Sequence, residues 1–128
     1  MISELIGKLH IDGNDEWQVE DDNTVSVALY PEPFTKTFKD IFGTDLYDYY
    51  PEGWIDAYAI IDIHKKAVVE IEINIVTNRY DEKEFYFPII VNNKTIQEKI
   101  FKELDEDTDG RITSWIDTDV IPSIEREE

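Results

Sequence analysis

The residues best suited to chemistry in this sequence are three aspartates at alternate positions, Asp105, Asp107 and Asp109, followed at once by Gly110. Carboxylates at positions 1, 3 and 5 of a loop can direct oxygen atoms at one cation, and a glycine at position 6 allows the sharp turn that closes it. The next residue, Arg111, is placed to offer its backbone carbonyl. This spacing predicts a calcium-binding loop. The alternative is a solvated Asp/Gly turn at the end of a helix.

The segment from Phe101 to Thr113 resembles the first helix and loop of an EF-hand, with Ile112 at the apolar position that links paired loops. The resemblance covers this segment alone, and it implies calcium as a cofactor. The implied metal ligands are Asp105, Asp107 and Asp109 through their side chains, Arg111 through its carbonyl, and Thr113 directly or through water. An EF-hand has a bidentate glutamate at position 12, where this chain has Ile116. A later aspartate such as Asp117 could replace it only in a different loop geometry.

The charge balance limits the classes of partner. The chain carries 30 acidic and 12 basic residues, which give a formal net charge of −18 and a pI of about 4.2. Direct binding to a nucleic acid or to an anionic membrane needs clustered lysine and arginine, so we expect neither. We expect a basic partner protein instead, for example one whose basic groove normally holds nucleic acid. The alternative is that the charge only keeps the protein in solution.

Length and composition indicate one ordinary folded domain. A chain of 128 residues predicts a single domain spanning residues 1–128, and 41% hydrophobic residues suffice for a core. The sequence has no cysteine, no run of about 20 apolar residues, and no basic and apolar start of the kind found in signal peptides. We therefore expect a cytoplasmic protein without disulfides.

The apolar pattern predicts an antiparallel sheet made of hairpins. Residues 9–30 read as up to three short strands, and residues 55–63 and 69–75 alternate apolar and polar side chains as the two strands of a central hairpin. A three-residue loop at 64–66 keeps all the apolar residues on one face. The predicted pairs are Ala59 with Ile71, Ile61 with Val69, and Ile63 with Ala67.

Two amphipathic helices and an edge strand complete the prediction. Apolar residues from Phe34 to Phe42 recur at helical spacing between Pro33 and Gly43, and a second helix is predicted over 95–104. The strand 84–91 contains Pro88, which predicts that it lies at an edge of the sheet or ends early. The segment 44–54 reads as a loop, and the tail 122–128 is expected to be loosely ordered. The fold class is therefore α+β, a single domain with an antiparallel β-sheet and two short α-helices packed on one face.

The alternation of residues in the central hairpin also predicts a second face of the sheet that carries acidic and aromatic side chains. Its predicted partner-binding residues are Asp56, Tyr58, Asp62, Glu70 and Glu72. Tyrosine and tryptophan dominate interface hot spots, so the loop residues Tyr47, Tyr50 and Trp54 are predicted to contribute to binding. The alternatives are an ordinary solvent-facing sheet surface and aromatic residues that cover one end of the core.

Catalysis has little support in the sequence. His10 and His64 are not spaced as a zinc-protease pair, and neither a nucleophile elbow nor a phosphate-binding glycine loop is present. We therefore expect a small non-catalytic binding protein, such as an inhibitor, an immunity protein or a nucleic-acid mimic, that occupies a basic surface of a partner. One alternative is a calcium-binding module that uses the loop from Asp105 to Thr113, and a third hypothesis is a small enzyme whose site the sequence does not reveal.

Overall fold

The structure is a computed structural model that describes residues 5–13, 17–78 and 84–127. It contains a five-stranded antiparallel sheet with strand order β1-β2-β3-β4-β5 and helices on one side of it, which confirms the α+β prediction. The strands are β1 Gln18–Val19, β2 Thr24–Leu29, β3 Trp54–Asp62, β4 Ala67–Val76 and β5 Glu84–Ile90. The helices are α1 Glu32–Phe42, α2 Leu46–Tyr49, α3 Lys94–Asp107, α4 Arg111–Trp115 and α5 Ile121–Glu127, with a π-helical turn Ile116–Val120 between the last two.

Helix α1 forms where its end signals predict it. Proline occupies the first turn, and the buried Phe34 and Phe38 lie one helical turn apart against the sheet. Gly43 ends the helix in the left-handed conformation, with a φ of 77°, and its N–H donates to the carbonyl of Lys39 at 2.8 Å. The segment after it, predicted as a loop, contains the short helix α2.

The central hairpin keeps the predicted register only in part. Ala59 lies opposite Ile71 as predicted, but a β-bulge follows, and Ile61 lies opposite Val68 instead of Val69. The predicted pairs Ile61 with Val69 and Ile63 with Ala67 are therefore wrong. The turn spans four residues, 63–66, and ends with Lys66 at a φ of 51°. The bulge adds one residue to β4 and places Val68, fully buried, opposite Ile61. Because residues 68 and 69 are both valines, either register puts a valine at this core position.

The two edge strands of the sheet differ in length. Strand β5 is an edge strand, which confirms the prediction made from Pro88. At the opposite edge β1 has only two residues. The segment near Ile11, predicted as a strand, contributes only an isolated bridge from Ile11 to Leu29.

One hydrophobic cluster joins the helices to a single face of the sheet. Ile100 and Leu104 of α3 and Phe34 of α1 pack with the core-facing residues of β2, β3 and β4. The prediction of a loosely ordered tail is wrong, because α5 runs to Glu127. Apolar residues spaced along 112–124 pack on the core and give this segment a buried side that holds it. They are Ile112, Ile116, Val120, Ile121 and Ile124.

Candidate functional site

The sheet face opposite the helices, which we call the outer face, carries four of the eight predicted partner-binding residues: Asp56, Tyr58, Glu70 and Glu72. The pairs Asp56 with Asn74, Tyr58 with Glu72, and Ile60 with Glu70 place these side chains next to one another across β3 and β4. Strand β5 extends the same face, where Tyr86 lies opposite Asn74 and Pro88 opposite Glu72. The outer face thus consists of Asp56, Tyr58, Ile60, Glu70, Glu72, Asn74, Tyr86 and Pro88, with Ser26 and Glu20 at its β2 side.

Three carboxylates of this face lie close enough to affect one another. Burial raises the pKa of Glu72, and the negative charges of Glu70 and then Glu20 raise it further. Tyr86 lies among them, and its hydroxyl donates to Oε1 of Glu70 at 3.3 Å. Burial and the charges of Glu72 and Glu70 also raise the pKa of Tyr86. The fold therefore disfavours the charged form of Glu72.

The hydrogen bonds to these carboxylates come from hydroxyl groups. Ser26 donates to Oε1 of Glu20 at 2.6 Å, and Tyr86 donates to Glu70. The ion pairs that the structure describes lie elsewhere, between His10 and Asp107, Lys39 and Asp45, and Lys66 and Asp117. In the described part of the chain, no lysine or arginine neutralises Glu20, Glu70 or Glu72.

Glu20 and Tyr86 are site residues that sequence reasoning missed. Glu20 comes directly after β1, within the segment 9–30 for which the sequence predicts only short strands. Its place beside Glu72 depends on β1 folding back onto β2, with Gln18 opposite Ser26. Tyr86 was within a predicted strand, but the register of β5 on β4 has no signal in the sequence that could place it beside Glu70.

Two of the predicted acidic residues also have local structural roles. Asp62 accepts hydrogen bonds from the backbone N–H groups of His64 and Lys65, both at 3.0 Å, and so holds the turn after β3. Asp56 accepts a hydrogen bond from the indole N–H of Trp54 at 3.1 Å. Asp62 therefore stabilises the hairpin loop, whatever it contributes to binding.

The predicted aromatic residues do not form one cluster. Tyr47 is exposed on α2, Trp54 opens β3, and Tyr50 is half-buried against Phe85 of the edge strand, with ring centroids 6.4 Å apart. What forms instead is a groove between α1, α2 and β5. We call this feature the aromatic groove; its residues are Phe38, Phe42, Tyr49, Tyr50, Ile75, Phe85 and Phe87. The phenylalanines of α1 and β5 were not among the predicted site residues.

Gly53 fixes the chain beside this groove. A side-chain carbon at this position would lie 2.5 Å from the carbonyl oxygen of Val76 and 2.9 Å from Cβ of Tyr50. Its N–H donates to the carbonyl of Tyr50 at 2.9 Å. The turn that carries Tyr50 into the groove therefore requires a residue without a side chain at its end.

The aspartates of the predicted calcium loop are directed to separate partners. Helix α3 continues to Asp107, past the predicted end at 104, so Asp105 and Asp107 lie on different sides of one helix. Asp105 accepts from the N–H of Thr113 at 2.9 Å. Asp107 accepts from the N–H of Ile11 at 2.8 Å, and its other oxygen lies 3.3 Å from Nδ1 of His10.

The other three predicted ligands follow helix α3 in the chain. Asp109 has a φ of 55°, and Arg111 and Thr113 belong to helix α4. Among the described residues, the structure brings together no group of three or more histidine, aspartate or glutamate side chains that could hold a metal ion. The calcium hypothesis remains a prediction that solution experiments can test.

No helix within the described residues is both long enough and apolar enough to span a bilayer. Comparison of the chain with known protein families, with curated proteins and with solved structures finds no match. The site itself is therefore the basis for inferring a function.

Proposed function

We propose that the protein is a small, non-catalytic cytoplasmic binding protein whose outer face attaches to a basic surface of a partner protein. The observation that carries this proposal is the grouping of Glu20, Glu70 and Glu72 on an open sheet without a basic side chain among the described residues to neutralise them. Lysine and arginine side chains of a partner would place positive charge next to these carboxylates.

The raised pKa of Glu72 supports the same proposal. Burial and two neighbouring carboxylates disfavour its charged form in the free protein. A partner cation placed within a few ångströms would favour the charged form and lower the pKa again. Binding of a basic partner is therefore expected to release a proton at pH values where Glu72 is partly protonated.

The charge of the whole chain suits a partner that normally binds nucleic acid. A formal charge of −18 attracts a basic groove from a distance and accelerates encounter with it. Tyr58 and Tyr86 lie among the carboxylates and offer flat apolar surface with a polar end, as interface aromatics do. Inhibition of a nucleic-acid-binding protein by occupation of its groove is the form of this function that we propose.

A capture experiment with charge-matched variants tests the proposal. The wild-type protein, a triple variant Glu20→Gln, Glu70→Gln, Glu72→Gln, and a control are each immobilised and exposed to cell extract at rising salt. The control carries Glu98→Gln, Glu106→Gln and Glu125→Gln, which are exposed residues on helices α3 and α5. Both variants lose three negative charges, so they differ only in where the charge is lost.

We expect basic proteins to be retained by the wild type and the control at low salt, to be lost at high salt, and to be weakly retained by the outer-face variant. Duplex DNA should compete with the captured protein if a nucleic-acid groove is occupied. Equal retention by the two variants would show that only total charge matters. Retention that does not change with salt would contradict a charge-driven complex.

A further inference from the structure

The edge strand β5 is exposed on both of its faces. Phe85 and Phe87 lie opposite Ile75 and Ile73, on the side of the sheet that elsewhere is covered by helices, and yet they are 50% and 44% exposed. Ile90, near the end of the strand, is 56% exposed. Neither α1 nor α3 covers this end of the core, so large apolar side chains that usually favour burial remain in contact with solvent.

The aromatic groove is the concave part of this exposed region. Two adjoining cavities of about 300 and 200 Å³ share Phe38 and Phe42 on the α1 side and Ile75 and Phe87 on the sheet side. Contacts between aromatic rings close one end of the groove. The ring centroids of Phe38 and Tyr49 are 6.4 Å apart, and those of Tyr50 and Phe85 are also 6.4 Å apart. Each cavity is large enough for one or two apolar side chains.

Two exposed acidic residues are chain neighbours of groove residues on the α1 and α2 side. Asp40 comes directly before Ile41, and Asp48 lies on α2 directly before Tyr49. We call Asp40 and Asp48 the acidic rim. A positively charged chain that entered the groove would meet opposite charge at these two positions.

We infer that the aromatic groove is the anchor site for apolar side chains of a basic polypeptide segment, while the acidic rim and the outer face bind its lysines and arginines. This inference rests on the proposed function and adds to it the surface that holds the partner after encounter. Charge accelerates association, whereas apolar side chains buried among aromatic residues slow dissociation.

The same observations disfavour a second copy of the chain as the occupant. Two copies would bring together formal charges of −18 each. Pairing of β5 with another β5 would place Pro88, which has no N–H, in the middle of the new ladder. A basic partner removes the charge repulsion, and insertion of its side chains does not need the backbone edge of β5.

Two synthetic peptides test the inference. They have equal length and equal lysine content, but in one the remaining positions are leucines at helical spacing and in the other they are serines. Binding is measured by fluorescence anisotropy at low salt and at about 0.3 M salt, where exposed charges are largely screened. The groove variant carries Phe42→Ser and Phe85→Thr. The control carries Val19→Thr and Tyr30→Thr, at residues 52% and 45% exposed that belong neither to the groove nor to the outer face.

At the higher salt we expect the leucine peptide to bind the wild type and the control at least about tenfold more tightly than the serine peptide. The groove variant should lose most of this ratio and should keep its weak binding of the serine peptide at low salt. Amide resonances of residues 41–42 and 85–87 should shift on addition of the leucine peptide. The single variant Ile41→Ser, at a residue 56% exposed, should reproduce part of the loss if the double variant does not fold.

The outcomes separate this inference from the proposed function. The leucine peptide could bind the wild type and the groove variant equally and lose binding on Glu70→Gln and Glu72→Gln. That result would refute the groove as the anchor site and would support the outer face as the binding surface. If the wild type bound neither peptide at low salt, both would be overturned. A concentration-dependent dimer that disappears in the groove variant would assign the groove to a second copy and overturn the inference.

Discussion

Replacement of Asp105 by alanine should destabilise the fold whether or not calcium is present. The N-cap of helix α4 is Gly110, which has no side chain that could accept a hydrogen bond, and the carboxylate of Asp105 accepts the N–H of Thr113 at 2.9 Å instead. The variant would leave this partly buried N–H without a partner and remove the contact that fastens α4 to α3.

The expected magnitude follows from the type of contact. Loss of a helix N-cap costs about 0.5 to 2 kcal/mol, and a hydrogen bond to a charged group lies at the upper part of this range. We therefore expect a loss of about 1 to 2 kcal/mol in the free energy of unfolding. For a chain of this length the melting temperature should fall by about 4 to 8 °C.

Thermal unfolding in a chelator and then in calcium, with magnesium as the comparison, provides the assay. Glu106→Ala is the matched control, because Glu106 is exposed in the same acidic segment and the structure describes no hydrogen bond to its side chain. We expect Asp105→Ala to melt lower than this control in every buffer. Calcium and magnesium should raise all the melting temperatures by a similar small amount, through screening of the charge.

A selective effect of calcium would refute this reasoning. A cation present at about ten times its Kd stabilises the folded state by about 1.4 kcal/mol, which a melting curve detects easily. If calcium alone raised the melting temperature of the wild type by such an amount, and Asp105→Ala and Asp107→Ala abolished the rise, the aspartates would be ligands. The function of Asp105 and Asp107 would then be calcium binding, as the EF-hand resemblance implies, and not the hydrogen bonds to Thr113 and Ile11.

Three other predictions concern the turn beside the groove, the outer face and the N-terminal segment. Gly53→Ala should cost about 1 to 3 kcal/mol in urea unfolding, because the added carbon meets the carbonyl of Val76, whereas Gly13→Ala, with no atom within 4 Å, should change stability little. Because the pKa of Glu72 is raised in the folded protein, its contribution to stability is fully present only below the ordinary titration range of a glutamate, roughly pH 4 to 5, and is lost as the pH rises. Glu72→Gln should therefore raise the melting temperature at neutral pH and leave it nearly unchanged in acid. The gain should be below about 1 kcal/mol because the side chain is only partly buried, and a loss at neutral pH would contradict the assigned cause. Asp107→Ala should expose the amide of Ile11 to faster hydrogen exchange, and unchanged exchange there would show that this hydrogen bond does not hold the segment.

The sequence predicted those parts of the fold that depend on local signals. Pro33 and Gly43 mark the ends of α1, and the alternation in 55–63 predicts which residues share the outer face. Pro88 predicts an edge strand because a central strand would lose a hydrogen bond at that position. In each case one residue, or a short alternation of apolar and polar residues, is sufficient to predict the feature.

The remaining features depend on choices that local signals leave open. Val68 and Val69 are equally apolar, so nothing in the sequence indicates which of them the bulge turns outward. The spacing of Asp105 and Asp107 suits a loop, but α3 continues through both and separates them. The aromatic groove joins α1 to β5, which are distant in the chain, and only the packed structure brings Phe42 and Phe85 to the same surface.

The exposure of β5 also bears on how the protein behaves in acid. Around pH 4.2 the net charge approaches zero, and the repulsion that keeps molecules apart disappears. The strand from Glu84 to Ile90 then remains as an uncovered row of aromatic and branched side chains at the open side of a sheet. We expect this strand to promote aggregation near that pH and Pro88 to interrupt its templating of further strands. We therefore expect the solubility of this protein to depend both on its carboxylates and on Pro88.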